Sequence, residues 1–249
     1  IMTKTLIIAE AGANHNGDIN IAKKLIIEAK KSGADIVKFQ SSIPEEHISK
    51  FAKVAKYQSK NKFKKQLDLC KGITLPLKDF KILQKLCKKK NIKFLSTPFD
   101  IPSVNVLKSL GCKQFKISSG DIDNFLLLKA VCEKNIKIIL STGMCEVTDI
   151  KKNLKFILKN GVKKKNISIL HCNTEYPSPY RDLNLGAIQI LKKKFNLQVG
   201  YSDHSAGIEA PIAAVALGAQ IIEKHFTLDN KMKGPDHKAS LIPSELKKW

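Results

Sequence analysis

The sequence predicts a closed (β/α)8 barrel, and three observations carry that expectation. Apolar, β-rich runs alternate with amphipathic stretches eight times in order. The 249 residues match the usual size of such a barrel, about 250 residues. Polar residues collect at the carboxyl end of every expected strand. An open doubly wound sheet shares the alternation, but no dinucleotide-type glycine fingerprint follows any of the strands.

The first strand is LIIAE (6–10), a continuous apolar run suited to burial on both faces. Asp18 can cap a helix whose Ala22, Leu25, Ile26 and Ala29 recur at helical spacing, and Gly33 ends it. DIVKFQ (35–40) is the second strand. A polar excursion over 41–76, containing Tyr57 and Gln58, leads to a helix over 78–90. KFLSTP (93–98), QFKISS (114–119), KIILST (137–142) and ISILHC (167–172) supply strands three to six. Helices over 102–110, 125–134, 148–160 and 184–194 fall between and after them. QVGYS begins the seventh strand, Pro211 suits the first turn of an apolar helix closed by Gly218, and QIIEKHF is the eighth strand. Crossovers of this length make the strands parallel and the connections right-handed. LIPSELKKW allows barely two turns, so the last helix of this TIM-type barrel reads as truncated.

No linker-like or low-complexity tract divides the chain, which reads as one domain over 1–249. Six cysteines without a CxxC pair argue for reduced thiols and a cytoplasmic location. The longest apolar run, Ala210 to Ile222, is too short to span a membrane, and no signal pattern opens the chain. A net charge of +22 raises the question of nucleic acid. Yet Arg181 is the one arginine among 44 basic residues, and nucleic-acid surfaces favour arginine for bidentate contacts. The lysines spread over every expected helix, so no specific nucleic-acid partner is expected.

In such barrels the active site lies at the carboxyl ends of the strands. Standing there are Glu10 with Asn14 and His15, Lys38 with Gln40, and Ser96 with Thr97. Next come Lys116 with Ser119 and Asp121, Ser141 with Thr142, and His171 with Thr174, Glu175 and Tyr176. Strands seven and eight add Ser202, Asp203, His204, Glu223 and His225. His204 and His225 close adjacent strands about 4.8 Å apart, each with a carboxylate nearby, and could share one divalent metal ion. A single histidine in such a place is more often a hydrogen-bonded rim residue; two at equivalent strand ends make a rarer coincidence. Lys38 and Lys116 interrupt apolar runs in strands expected to be buried, where an ammonium is costly without an anion. Either could instead snorkel from a strand end. Ser118-Ser119-Gly120 and Ser141-Thr142-Gly143 add hydroxyls and free N–H groups, which with two lysines suit a phosphorylated anion. His15 fits a ligand role or simple satisfaction of loop backbone equally well.

These residues resemble the sialic acid (nonulosonate) synthase family, of the N-acetylneuraminate and legionaminate type. The matching segments include IAEAGANHNG (8–17), ADIVKFQ (34–40), FLSTPFD (94–100), FKISSGD (115–121) and LSTGM (140–144). ILHCNTEYPSP (169–179), VGYSDHS (199–205), IEKHFT (222–227) and GPDHKAS (234–240) complete a set spread over nearly the whole chain. The resemblance implies condensation of phosphoenolpyruvate with an N-acetylated hexose, either N-acetylmannosamine or a 2,4-diacetamido-6-deoxy sugar, with release of phosphate. It implies manganese or magnesium held by His204 and His225. It places Lys38, Thr97, Lys116, Ser119, Ser141 and Ser202 around phosphoenolpyruvate, and Gln40, Asp121, Tyr176 and Asp236 against the sugar. Glu10 or Glu223 would act as carboxylate base. Two departures touch the site: Asn173-Thr174 replaces the usual residues after His-Cys, bearing on a phosphate contact at Thr174, and Asp121 stands where some members carry Glu. The resemblance also implies a homodimer in which a C-terminal antifreeze-like domain supplies an arginine to the partner subunit's site; residues 1–249 are expected to hold the barrel without that domain. A Schiff-base aldolase using Lys116, and a truncated barrel binding ligand or polyanion without turnover, are the competing readings.

Overall fold

A computed structural model describes residues 4–55, 58 and 63–248; Tyr57 lies outside the described residues. Eight parallel strands form one sheet in the order β3-β2-β1-β8-β7-β6-β5-β4. They are β1 (Leu6–Gly12), β2 (Ile36–Ser41), β3 (Lys93–Pro98), β4 (Gln114–Ile117), β5 (Lys137–Ser141), β6 (Ile167–Cys172), β7 (Gln198–Asp203) and β8 (Ile221–His225). The first strand pairs with the last, Leu6 opposite Ile221 and Glu10 opposite His225. That pairing curls the sheet into a barrel and excludes the open doubly wound arrangement. The remaining seam is β3 beside β4, which pack together without a hydrogen-bonded ladder.

Among the described residues, nine of the ten α-helices come between the strands: α1 (Ile19–Lys31), α2 (Pro44–His47), α3 (Gln66–Ile73), α4 (Phe80–Lys89), α5 (Ile101–Ser109), α6 (Phe125–Val131), α7 (Val147–Lys159), α8 (Ala187–Phe195) and α9 (Glu209–Ala216). After β8, α10 (Pro243–Leu246) is a single turn against α1. Local chemistry sets the boundaries. The Asp18 carboxylate accepts from the Asn20 and Ile21 N–H groups at 2.6 and 3.3 Å, and Gly33, at φ +92°, follows the end of α1. Several boundaries differ from expectation: α6 ends at Val131 instead of 134, α8 begins at Ala187 instead of 184, and β1 runs on to Gly12. β4 stops at Ile117 because residues 119–121 turn into a 3-10 helix. The excursion over 41–76 is not all loop, since it carries α2 and α3.

Side chains alternate along each strand, which sorts them into two cores. Ile8, Ile36, Leu95, Ile139, Leu170 and Ile221 fill the barrel interior. Val37, Phe39, Phe115, Val199 and Ile222 face outward into the larger layer under the helices. Burying each such side chain stabilises the fold by about 1.5–3 kcal/mol. At the interior position on β7 stands Gly200, where a Cβ would lie 2.3 Å from the Ile221 carbonyl oxygen and 2.6 Å from Leu170 Cδ2. The barrel floor is thus closed and apolar, and the interior side chains two residues further along each strand sit on it.

Candidate active site

Period two carries the interior positions upward from that floor. Ile36 is followed inward by Lys38 and Gln40, Ile8 by Glu10, Ile139 by Ser141, Gly200 by Ser202, and Ile221 by Glu223 and His225. These residues line an inner cavity of about 150 Å³ with Thr97, Lys116, Ser119, Thr174, Tyr176 and His204. Of the residues to which the resemblance gives a role toward metal, phosphoenolpyruvate, sugar or base, all except Asp121 and Asp236 border it.

Charge is concentrated at its base. Lys38 Nζ lies 3.0 Å from Glu10 Oε1 and 3.6 Å from Glu223 Oε2, and donates to Thr97 Oγ1 at 3.1 Å. Lys116 Nζ lies 3.5 Å from Glu223 Oε1, which also accepts from Ser202 Oγ at 2.9 Å. All four charged side chains are at most 5% exposed. The two carboxylates are driven apart. Burial raises the Glu10 pKa, against the pull of Lys38 and with the Glu223 charge adding to the rise. Burial also acts upward on Glu223, but Lys116, Lys38 and the Ser202 hydroxyl outweigh it and hold the group ionised. Burial lowers the Lys116 pKa, whereas Glu10 and Glu223 overcome the same burial at Lys38 and raise it. Glu10 Oε2, Glu223 Oε2 and Ser141 Oγ are buried without a hydrogen-bond partner. Such atoms are costly to leave unpaired and mark where a ligand would bond.

The two histidines face one another with ring centroids 5.5 Å apart. His204 Nδ1 lies 2.5 Å from the Asn173 carbonyl, which can only accept, so this nitrogen carries the proton. Nε2 is then the lone-pair nitrogen, reached by the Tyr176 hydroxyl at 3.0 Å. His225 Nδ1 is buried without a partner, 4.0 Å from Asp236 Oδ2. Burial holds both imidazoles below their ordinary pKa, so they are neutral and able to ligate. A divalent ion therefore fits this pair. Among the described residues no group of three or more His, Cys, Asp or Glu has metal-holding geometry. Other ligands would have to come from substrate and water.

Several expected placements are corrected. Asp203 is not the carboxylate beside His204: it points out of the barrel, ion-paired with Lys224 and bonded by Tyr201 and the Ser205 N–H at 3.1 and 2.9 Å. His171 also faces outward, its Nε2 2.7 Å from the Leu183 carbonyl and its ring stacked on Tyr201. Thr142 and Ser96 bond strand carbonyls instead of lining the cavity. Asp121 borders neither this cavity nor the next, because its carboxylate is taken by Ser118 Oγ at 2.6 Å and Asn124 Nδ2 at 3.3 Å. His15 serves its own loop, Nδ1 accepting from the Gly17 N–H at 3.1 Å. His237 likewise ties loops together through Thr227 and Asn16.

A second cavity of about 300 Å³ opens beside the first and shares Gln40, Phe99, Tyr176 and His225 with it. Asp236 lines it, its pKa raised to about 6 by burial. Here the structure adds residues that the sequence alone does not single out: Phe99, with His47 stacked on it, and Gln66 and Cys70 from α3. Cys172 is a further addition; its Sγ is 3.1 Å from Ser119 Oγ in the inner cavity. Period two from Leu170 would have found Cys172, whereas nothing in the sequence links α3 to the barrel mouth.

A barrel with an apolar floor and a buried lysine–carboxylate cluster at the carboxyl ends of its strands is an enzyme scaffold built around an anion. Comparison with known proteins is consistent with that class. N,N'-diacetyllegionaminic acid synthase of Campylobacter jejuni is 57% identical over 248 residues, covering 99% of this chain and 74% of that one. The protein of the same name from Legionella pneumophila is 43% identical, covering 97% of this chain and 69% of that one. The crystal structure of N-acetylneuraminic acid (sialic acid) synthetase from Leptospira borgpetersenii superposes with a TM-score of 0.89 at 40% identity, covering 99% of this chain and 81% of that one. The NeuB family model matches residues 25–249, and the chain belongs to the NeuB family.

Proposed function

We propose that this protein condenses phosphoenolpyruvate with the open-chain aldehyde of an N-acetylated hexose, giving a nonulosonic acid and inorganic phosphate. The observation that carries the reading is the pair of buried lysines, Lys38 and Lys116, in a cavity ringed by hydroxyls. Phosphoenolpyruvate brings a carboxylate and a phosphate, and these lysines can trade their carboxylate partners for the substrate's charges. Ser141, Ser119, Thr97 and Ser202 supply hydroxyl donors around it. The relatives named as synthases of such acids support the same chemistry.

The hexose would enter through the outer cavity, with its aldehyde carbon at the junction formed by Gln40, Tyr176 and His225. His204 and His225 would hold manganese or magnesium, whose contribution when bound is Lewis-acid polarisation of the aldehyde oxygen. The C3 carbon of phosphoenolpyruvate attacks the aldehyde carbon, forming the new C–C bond and leaving an oxocarbenium at C2. The aldehyde oxygen takes up a proton as it becomes a hydroxyl; water adds to C2 and loses a proton to a carboxylate, and the new C2 hydroxyl gives up its proton as the C2–O bond to phosphate breaks and the C2 ketone forms. Glu10 is the better base: Lys38 and Gln40 bond its Oε1 at 3.0 and 3.3 Å, while Oε2 is unpartnered. Glu223 is held ionised by Lys116, Lys38 and Ser202, and serves to keep the lysines in place.

The test is phosphate release from phosphoenolpyruvate with N-acetylmannosamine or a 2,4-diacetamido-2,4,6-trideoxyhexose, with and without manganese, beside His204→Ala. Manganese-dependent release lost in the variant is the expected result. A folded, manganese-loaded protein that releases no phosphate with either sugar would contradict the proposal. A borohydride-trapped adduct at Lys116 would point to the Schiff-base alternative.

A further inference from the structure

In the proposed reaction Ser119 donates its hydroxyl to the phosphoenolpyruvate anion, yet a serine hydroxyl rotates and accepts as readily as it donates. The groups around Ser119 Oγ limit that freedom. The Gly143 N–H donates to it at 2.9 Å and fills one of its two lone pairs. Cys172 Sγ lies 3.1 Å from the same oxygen, and either atom of that pair can be the donor.

These three residues stand at the ends of three neighbouring strands. Ser119 opens the 3-10 turn after β4, Gly143 follows β5, and Cys172 closes β6. The Thr142 N–H and hydroxyl both donate to the Leu170 carbonyl at 3.0 Å, tying the end of β5 to β6. Cys145 Sγ donates to the Gly143 carbonyl at 3.2 Å and steadies the same peptide. A Cβ at Gly143 would lie 3.0 Å from both Cys172 Sγ and Ser119 Oγ and 2.8 Å from Thr174 Cγ2. The lack of a side chain is what lets its N–H come so close. Cys172 itself is buried and carries a free thiol.

A carboxylate or phosphate oxyanion can only accept. When the Ser119 proton bonds such an anion and Gly143 fills one lone pair, one lone pair of Oγ is left, and the Cys172 S–H is placed to fill it. In the opposite arrangement the serine gives its proton to sulfur and turns a lone pair toward the anion, which repels it. We propose that Cys172 is a positioning residue for phosphoenolpyruvate: its thiol donates to Ser119 Oγ and keeps the hydroxyl proton aimed into the cavity. It acts through Ser119, not on the substrate. This role rests on the synthase reading of the same cavity.

The experiment measures phosphate release at varied phosphoenolpyruvate and at varied sugar, using whichever of N-acetylmannosamine and 2,4-diacetamido-2,4,6-trideoxymannose the wild type turns over. It compares the wild type with Cys172→Ala, Cys172→Ser, Ser119→Ala and the Ser119→Ala, Cys172→Ala double variant, each shown to be folded by thermal melting. Cys172→Val, which fills the space of the sulfur without a donor, takes the place of Cys172→Ala should that variant fail to fold. Cys172→Ala is expected to raise KM for phosphoenolpyruvate roughly three- to tenfold, the worth of one neutral hydrogen bond, while KM for the sugar and the melting temperature stay unchanged. Cys172→Ser keeps a donor and should restore the wild-type KM. In the Ser119→Ala background, loss of the sulfur should have no further effect on KM. An unchanged KM for phosphoenolpyruvate in Cys172→Ala, no rescue by serine, or a fully additive double variant overturns the assignment and leaves the synthase reading standing. No phosphate release by the wild type with either sugar removes that reading and this inference together.

Discussion

Lys224 and Asp203 form an ion pair between neighbouring strands on the outside of the barrel, both at most 1% exposed. Lys224 also donates to the Ser205 carbonyl at 2.6 Å, while Asp203 accepts from the Ser205 N–H at 2.9 Å. The pair thus grips the residue on either side of His204 and fixes the turn from which that imidazole enters the cavity. Removing one partner leaves the other charge buried and uncompensated, which costs about 3–5 kcal/mol. Lys224→Met is expected to lower unfolding free energy by roughly that amount, while Asp203→Asn with Lys224→Met loses clearly less. Urea unfolding of the two single variants and the double variant measures the coupling. Additive losses would show that the pair is not a unit.

Gly200 holds the floor of the site at its present height. Any side chain there meets the Ile221 carbonyl and Leu170, which are backbone or tightly packed core and cannot move aside. Gly200→Ala is expected to cost at least about 1–3 kcal/mol by overpacking. Gly186→Ala, where nothing lies within 4 Å, should stay within about 0.5 kcal/mol of the wild type. Equal melting temperatures for the two variants would refute the close-packed floor.

The same one-residue alternation explains what could be read from the sequence and what could not. The continuous apolar run LIIAE marked β1 because a strand buried on both faces needs one. Lys38 was legible because an ammonium that interrupts an apolar run in a buried strand needs an anion, and Gln40 because it stands at the carboxyl end of that strand. Asp203 and His171 were misplaced because a polar residue at a strand end announces the end of the strand, not its face; a shift of one position reverses inside and outside. Gln66 was out of reach for a different reason. Its relation to the cavity exists only once α3 lies beside the barrel mouth, and no periodicity records that.

His15 makes the fold sensitive to acid. It is 1% exposed, and burial lowers its pKa from 6.5 to about 4. Between those values the unfolded chain binds a proton that the folded chain refuses. The stability is therefore complete above pH 6.5 and is lost progressively as the pH falls toward about 4, by on the order of 3 kcal/mol at one pKa unit per 1.36 kcal/mol. His171, His204, His225 and His237 act in the same direction, so the contribution of His15 must be isolated by difference. Relative to His15→Gln, the wild type should lose more stability between pH 7 and pH 4.5 in urea unfolding. Parallel curves would mean that His15 takes up its proton in the folded state.

Ser141 separates binding from stability. Its Oγ is buried without a hydrogen-bond partner, although Ser141 lines the inner cavity with Lys38, Lys116 and the other hydroxyls. An unpaired buried hydroxyl costs about 1–3 kcal/mol, so a side chain retained only for packing would be better as alanine. Ser141→Ala should therefore melt at the same temperature as the wild type or a few degrees higher. If the hydroxyl instead serves the anion, the same substitution removes one hydrogen bond to a charged group, worth about 1.5–3 kcal/mol, and raises KM for phosphoenolpyruvate by roughly ten- to a hundredfold. The two effects have opposite signs, one favourable to the empty protein and one unfavourable to the complex. A variant that loses stability while keeping its KM would place the hydroxyl in the fold, outside the anion site.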